Sequence, residues 1–170
     1  MIGIAQLLMA GDNPALGVIT GQLEIAHVLA DRADAMRDRL GVSAAWPSSY
    51  SRSILAAAEG NVSEARSLLE VARTSEESCR VGPTRADFLL VPAMAAAHDG
   101  RFADCAGLLE VVRSNPIALL SGTHFAIARH LRDLAKAALE PDELAAAREA
   151  GRQIDTDTAL ADFLHPTQHA

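Results

Sequence analysis

Six histidines, two cysteines and 22 acidic residues in a chain of 170 are raw material enough for a metal site or a catalytic pair. Their spacing argues against both. A helix places positions i, i+3 and i+4 on one face, so His124 and His130, six apart, cannot close on one ion. His27 stands alone in its stretch. His98 precedes Asp99 at a helix end, where an imidazolium meets the C-terminal dipole. His165 and His169 lie in the C-terminal tail. The carboxylates have a plainer use. Asp155 and Asp157 straddle one helix start, and Glu140, Asp142 and Glu143 cluster at another, where acidic groups satisfy free backbone N–H groups. Glu76 and Glu77 approach a loop. No stretch alternates oxygen ligands as a calcium loop does, and no serine lies in Gly-x-Ser-x-Gly. Cys79 has Arg80 beside it, a charge that lowers a thiol pKa, but no base can be paired with it from the sequence. The two cysteines make no metal or redox spacing; Cys105 reads as a small core residue on an apolar helix face, and both thiols are expected reduced. The expectation is a chain that is not an enzyme and holds no metal or cofactor.

Composition narrows the class. The chain is 49% apolar but only 4% aromatic, a mixture weighted to alanine and leucine that suits close-packed helices. Its net charge is −7 and no lysine or arginine block occurs, so direct nucleic-acid binding, which depends on phosphate neutralisation, is not expected. The apolar start, Met1 to Ala10, lacks the basic beginning and the small-residue cleavage site of a signal peptide. Gly11-Asp12-Asn13-Pro14 ends it too early to span a bilayer. It reads as an amphipathic helix over the end of the fold, in a cytoplasmic protein without membrane contact.

The elements that position these residues are helices. Strand-like alternation is absent and helix-period stripes run throughout. The pattern predicts helices over about Ile2–Ala10, Gln22–Leu40, Ser48–Glu59, Ser63–Ser75, Thr84–His98, Phe102–Arg113, Thr123–Leu139, Pro141–Ala150 and a short one from Asp155 to Leu164. Pro14 starts a brief helical piece, and Gly41 to Pro47, with Trp46, and Ser78 to Pro83 are loops. Pro92 lies inside one predicted helix and is expected to kink it.

These helices repeat. Ala56-Ala57-Ala58-Glu59-Gly60-Asn61-Val62 with Leu68-Leu69-Glu70-Val71-Ala72-Arg73 returns as Ala96-Ala97-His98-Asp99-Gly100-Arg101-Phe102 with Leu108-Leu109-Glu110-Val111-Val112-Arg113. A fainter copy begins at Gly21. A period of about 40 residues is the mark of stacked two-helix units. Within each unit a turn glycine is followed on one helix face by an apolar anchor, a small residue, a large one and a small or apolar one. The sets are Gly60, Val62, Ala65, Leu69 and Ala72; Gly100, Phe102, Cys105, Leu109 and Val112; and Gly21, Leu23, Ala26, Ala30 and Ala33.

This pattern resembles the tetratricopeptide repeat, best at Gly100, Phe102, Cys105, Leu109 and Val112. The period is longer than the usual 34 or so, and the Trp and Tyr of the first helix are missing. A narrower likeness is to the C-terminal repeat region of actinobacterial signal-transduction ATPases and LuxR-type regulators. Leu40-Gly41 with Trp46 matches their repeat end, and the Ala-rich helix, Gly151-Arg152 and short acidic-capped helix match their closing segment. No Gly-x-x-x-x-Gly-Lys-Ser/Thr loop and no basic recognition helix accompany it. The resemblance implies an all-α, tetratricopeptide-like array of helical hairpins, an α-solenoid, within a single domain over residues 1–170. Its units are about 2–40, 48–78 and 84–115, and a C-terminal helical cap covers 116–164. It further implies a non-catalytic protein-interaction module of a bacterial transcriptional or signalling regulator. The partner is then a protein or peptide, with self-association through the apolar ends of the array; the alternative is a domain that senses a small-molecule effector in the helical groove.

In such arrays the first helices of successive units line the inner groove. That assigns the binding surface to Tyr50, Arg52 and Ser53, to Arg85 and Phe88 with Leu89, and to His124 and Arg129. Arginine and aromatic side chains are the usual anchors of binding surfaces, and Arg52 with Arg85 would hold an anion in the sensing alternative.

Overall fold

The computed structural model describes residues 17–40, 48–76, 85–115 and 122–166. Among these residues the chain is all-helical, without strands. A helical turn at 17–20 is followed by α1 (Leu23–Leu40), α2 (Ser48–Ala58), α3 (Val62–Glu76), a 3-10 turn (Asp87–Leu89), α4 (Leu90–His98), α5 (Phe102–Ser114), α6 (Gly122–Ala138), α7 (Pro141–Arg152) and α8 (Thr156–Leu164). The expectations for Ile2–Ala10, Pro14, Gly41, Trp46, the Ser78–Pro83 loop and Thr84 fall outside the described residues.

The repeat is written into the backbone. Among the described residues the glycines with positive φ are Gly21 (71°), Gly60 (79°) and Gly100 (74°), one at each copy of the turn. Each closes its helix in the same way. The glycine N–H donates to the carbonyl three residues back and the next N–H to the carbonyl five back: Gly60 to Ala57 at 3.2 Å and Asn61 to Ala56 at 2.8 Å; Gly100 to Ala97 at 3.1 Å and Arg101 to Ala96 at 2.8 Å; Gly21 to Val18 at 3.2 Å and Gln22 to Gly17 at 2.7 Å. This double closure satisfies carbonyls that a helix end otherwise leaves free, and its left-handed residue favours glycine. The residue after each glycine then opens the following helix, its carbonyl accepting from Ala26, Ala65 or Cys105. Of the positions expected to face inward, Ala26, Ala30 and Ala33 in α1, Ala65, Leu69 and Ala72 in α3, and Cys105, Leu109 and Val112 in α5 are buried, while the anchors Leu23, Val62 and Phe102 are half-buried. A fully buried leucine such as Leu69 contributes about 1.5–3 kcal/mol relative to an exposed one.

Hairpins α2/α3 and α4/α5 pack along their lengths, and α2, α4 and α6 lie side by side in that order. Helix α4 is central. Every residue from Leu90 to Ala96 is buried, so it is apolar all round rather than striped. The expected kink at Pro92 is corrected here. Residues 87–89 form a 3-10 turn and the α-helix begins at Leu90, which puts Pro92 in its first turn, where an N–H has no intrahelical partner to lose.

The hairpin pattern stops after α6. Helix α7 packs chiefly on α5 and only weakly on α6, and α8 folds back to touch α3, the 3-10 turn and α5. Pro141 opens α7 behind Glu140, whose N–H donates to Glu143 at 3.1 Å in a capping box. Asp155 caps α8, accepting from the Thr158 N–H at 2.9 Å. Arg66 of α3 secures the returning helix: its Nε donates to the Phe163 carbonyl at 2.7 Å and its guanidinium lies 5.1 Å over the Phe163 ring. No helix among the described residues is long and apolar enough to cross a membrane.

Candidate functional site

Helices α2 and α6, with the 3-10 turn between them, bring four of the seven expected site residues together, but inside the protein. Tyr50 is 1% exposed, Ser53 and Phe88 are fully buried and His124 is 3% exposed. The Tyr50 ring meets Phe88 edge-on at 5.3 Å and His124 at 5.4 Å. Its hydroxyl donates to the Asp87 carbonyl at 2.8 Å, and the Ser53 hydroxyl donates to the Tyr50 carbonyl at 2.7 Å. His124 Nδ1 stands 3.3 Å from the Asp87 carboxylate, which is itself buried. These residues do not line an open groove. They fasten three successive first helices to one another from within.

A buried His–Asp pair is also the base and its orienting partner in a nucleophilic site. Here the hydroxyl of Tyr50 bonds the Asp87 backbone, and burial first, then the Asp87 charge, pushes its pKa well above the ordinary tyrosine value. The phenol therefore stays protonated and spends its proton on a backbone carbonyl.

The three arginines lie apart from this cluster. Arg52 ties α2 to α1, with Nη2 2.7 Å from Asp31 and 2.6 Å from Asp34 and Nε 3.1 Å from Asp34. Arg85 pairs with Asp157 of α8 at 2.9 Å. Arg52 and Arg85 thus already hold carboxylates, one toward each end of the molecule. Arg129 is 74% exposed on α6, one turn from the exposed Phe125 and 4.0 Å from Asp133. His27 is not alone: its ring meets Glu59 at 2.7 Å, joining α1 to the end of α2. His98 reaches back across the unit to the Ala58 carbonyl at 3.1 Å. No group of three or more His, Cys, Asp or Glu residues suited to a metal ion occurs among the described residues. Cys105 is fully buried, and burial, then Asp104, pushes its thiol up to about 12.

A second site was not anticipated from the sequence. Helices α5, α6 and α7 enclose a cleft of about 190 Å³ whose wall carries Arg113, Arg132, Arg148 and Arg152 around Glu110. Glu110 is 5% exposed and accepts from Arg113 and, at 3.1 Å, from Arg152 Nε. Those two guanidinium groups, Arg113 foremost, hold its carboxyl below the ordinary glutamate value. Arg152 also contacts Glu149 at 2.5 Å. Arg132 donates from Nε to the Ala128 carbonyl at 3.2 Å and lies 6.0 Å over the Phe125 ring. The signal for this cleft is present in the sequence only as Arg148 and Arg152 one turn apart on an alanine-rich helix, which reads equally as a solvated face.

Comparison with family profiles, with curated proteins and with solved structures gave no match.

Proposed function

We propose that this chain is a tetratricopeptide-like array of helical hairpins that works by binding and not by catalysis, as the interaction module of a bacterial transcriptional or signalling regulator. The observation that carries the reading is the threefold recurrence of one turn at Gly21, Gly60 and Gly100, with the same pair of backbone hydrogen bonds each time. Units built alike and stacked through neighbouring faces leave an extended surface of helix sides, which is what such arrays use to hold partners.

The partner in this reading is a protein or peptide, and the surface offered to it is the outer side of α6. Phe125 is 52% exposed there, Leu134 39% and Arg129 74%. An exposed aromatic one turn from an exposed arginine matches the composition of interface anchors. The test is a pull-down from bacterial lysate with the wild-type chain and with Phe125→Ser/Arg129→Ala as baits. The captured protein is then purified, bound again to the chain and mapped by cross-linking. Loss of the reconstituted complex in the double variant, with cross-links on α6, supports the reading. A complex indifferent to the double variant removes α6 as the interface, and an empty capture overturns the protein-binding reading. The cleft of α5, α6 and α7 favours the second reading, a domain that senses a small molecule, because four arginines converge on a space of ligand size.

A further inference from the structure

The cleft concentrates positive charge on an acidic molecule. The chain carries −7 overall, yet four guanidinium groups line one small space against the carboxylates of Glu110 and Glu149. Two positive charges are left over. Arg148 makes no hydrogen bond or ion pair with any described residue, although it is half-buried. Arg132 holds only a backbone carbonyl and an aromatic face, so its terminal nitrogens are unspent. Arg113 and Arg152 are oriented by Glu110, and each keeps N–H donors beyond those it uses. Arg132 and Arg148 are both half-buried, and like charges partly removed from water repel unless an anion joins them.

We infer that this cleft binds a phosphate group, with Arg148 and Arg132 as its principal ligands and Glu110 as the buried anchor that fixes Arg113 and Arg152 toward it. A guanidinium fork matches the oxygens of phosphate with two parallel N–H···O bonds, and several forks around one group suit a dianion. The volume limits what the phosphate is attached to. At about 30 Å³ per water, 190 Å³ holds roughly six waters, room for a phosphate and a short carbon chain. It is below the roughly 300 Å³ at which drug-sized pockets begin, so the cleft matches a small ligand better than a whole nucleotide. The ligand is free phosphate or a small phosphate monoester. This site adjoins the proposed protein-binding face, since Arg132 lies over the Phe125 ring, but it does not rest on that reading.

Calorimetric titration of the full chain with inorganic phosphate and, separately, with glycerol 3-phosphate tests it, with sodium chloride as the ionic control. Saturable one-site binding of both probes, or of the ester alone, upholds the site; the second result gives the carbon chain a share of the contact. Arg148→Gln and Arg132→Gln should each weaken binding by roughly tenfold or more. Arg101→Gln, in the exposed turn at Gly100, should bind as the wild type does. Arg148 has no contact to lose, so its variant should keep the wild-type circular dichroism, and phosphate should raise the melting temperature of the wild type but not of Arg148→Gln. No saturable heat with either probe, or equal affinity in the Arg132→Gln/Arg148→Gln double variant, overturns the inference.

Discussion

Glu70 and Glu110 occupy the same place in two copies of Leu-Leu-Glu-Val-x-Arg, and each holds the arginine three residues on through a two-point contact. What separates them is water. The Glu70 side chain is 36% exposed, whereas that of Glu110 is 5% exposed beneath α7 and takes Arg152 as a third contact. An exposed pair contributes little because solvent screens it and two long side chains must be ordered. A buried carboxylate with its donors already aimed has more to lose. Glu70→Gln should therefore cost less than about 1 kcal/mol in urea unfolding at neutral pH, and Glu110→Gln about 1–3 kcal/mol. The pH dependence fixes the sign. Its arginines lower the folded pKa of Glu110, so its contribution is fully present above the unfolded value of about 4.3 and is lost as pH falls through the lower folded value. The gap between wild type and Glu110→Gln should close on acidification from about pH 7 to about pH 3. Equal costs for the two glutamates, or a gap that widens in acid, would show that burial is not what distinguishes them.

At the scale of the element, the turns at Gly60 and Gly100 share one backbone but not one neighbourhood. A Cβ at Gly100 would meet nothing within 4 Å, while one at Gly60 would run into the imidazole of His98. Gly100→Ala should then cost only the left-handed strain, about 1–2 kcal/mol, and Gly60→Ala should cost more. Adding His98→Ala to Gly60→Ala should return the loss nearly to the Gly100→Ala value, because the obstacle is the end of one side chain. Chemical unfolding of the three variants checks this, and a double variant no better than Gly60→Ala would place the strain elsewhere. These turns are legible in the sequence because their cause is local: a helix end needs its carbonyls closed, and only a few residues fit the left-handed position that does it. Helix extents follow equally well from periodicity and caps, within a residue or two for α1, α3, α5 and α6. The start of α4 was less legible because Pro92 signals a disturbed helix without saying whether it bends there or begins there. Burial of the binding candidates was not legible either. Periodicity places Tyr50, Phe88 and His124 on the inner sides of successive helices, but it does not say whether those sides face a groove or one another.

The whole molecule departs from a simple stack where α7 and α8 fold back, and one contact between backbones controls that departure. Gly107 of α5 and Gly151 of α7 lie so close that a Cβ on Gly151 would overlap the Gly107 carbonyl oxygen and stand 2.8 Å from its carbonyl carbon and Cα. A Cβ on Gly107 would come closest to the Ala147 carbonyl oxygen, at 3.3 Å, which a shift of a few tenths of an ångström relieves, and would stand in ordinary contact with Gly151 at 3.9 Å. No local pattern announces this pair. Two helical glycines become partners only once the chain has turned through α6, which is why the arginine cleft between the same helices leaves so little trace in the sequence. General helix propensity and this geometry give opposite signs for the same substitution. Replacing a helical glycine by alanine ordinarily stabilises by up to about 1 kcal/mol. Here the added methyl meets backbone, which cannot rotate away, and overpacking of this kind costs about 1–3 kcal/mol. Gly151→Ala should therefore destabilise the chain and raise hydrogen exchange across residues 141–152, and it should do so without raising exchange in the α2/α3 hairpin, which α7 does not build. Gly107→Ala should be milder. The same loosening moves Arg148 and Arg152 away from Arg113 and Arg132, so phosphate binding should fall in Gly151→Ala although no arginine has been changed. If Gly151→Ala proved as stable as the wild type, with α7 still protected, the close approach of α5 and α7 would not be what shapes the cleft.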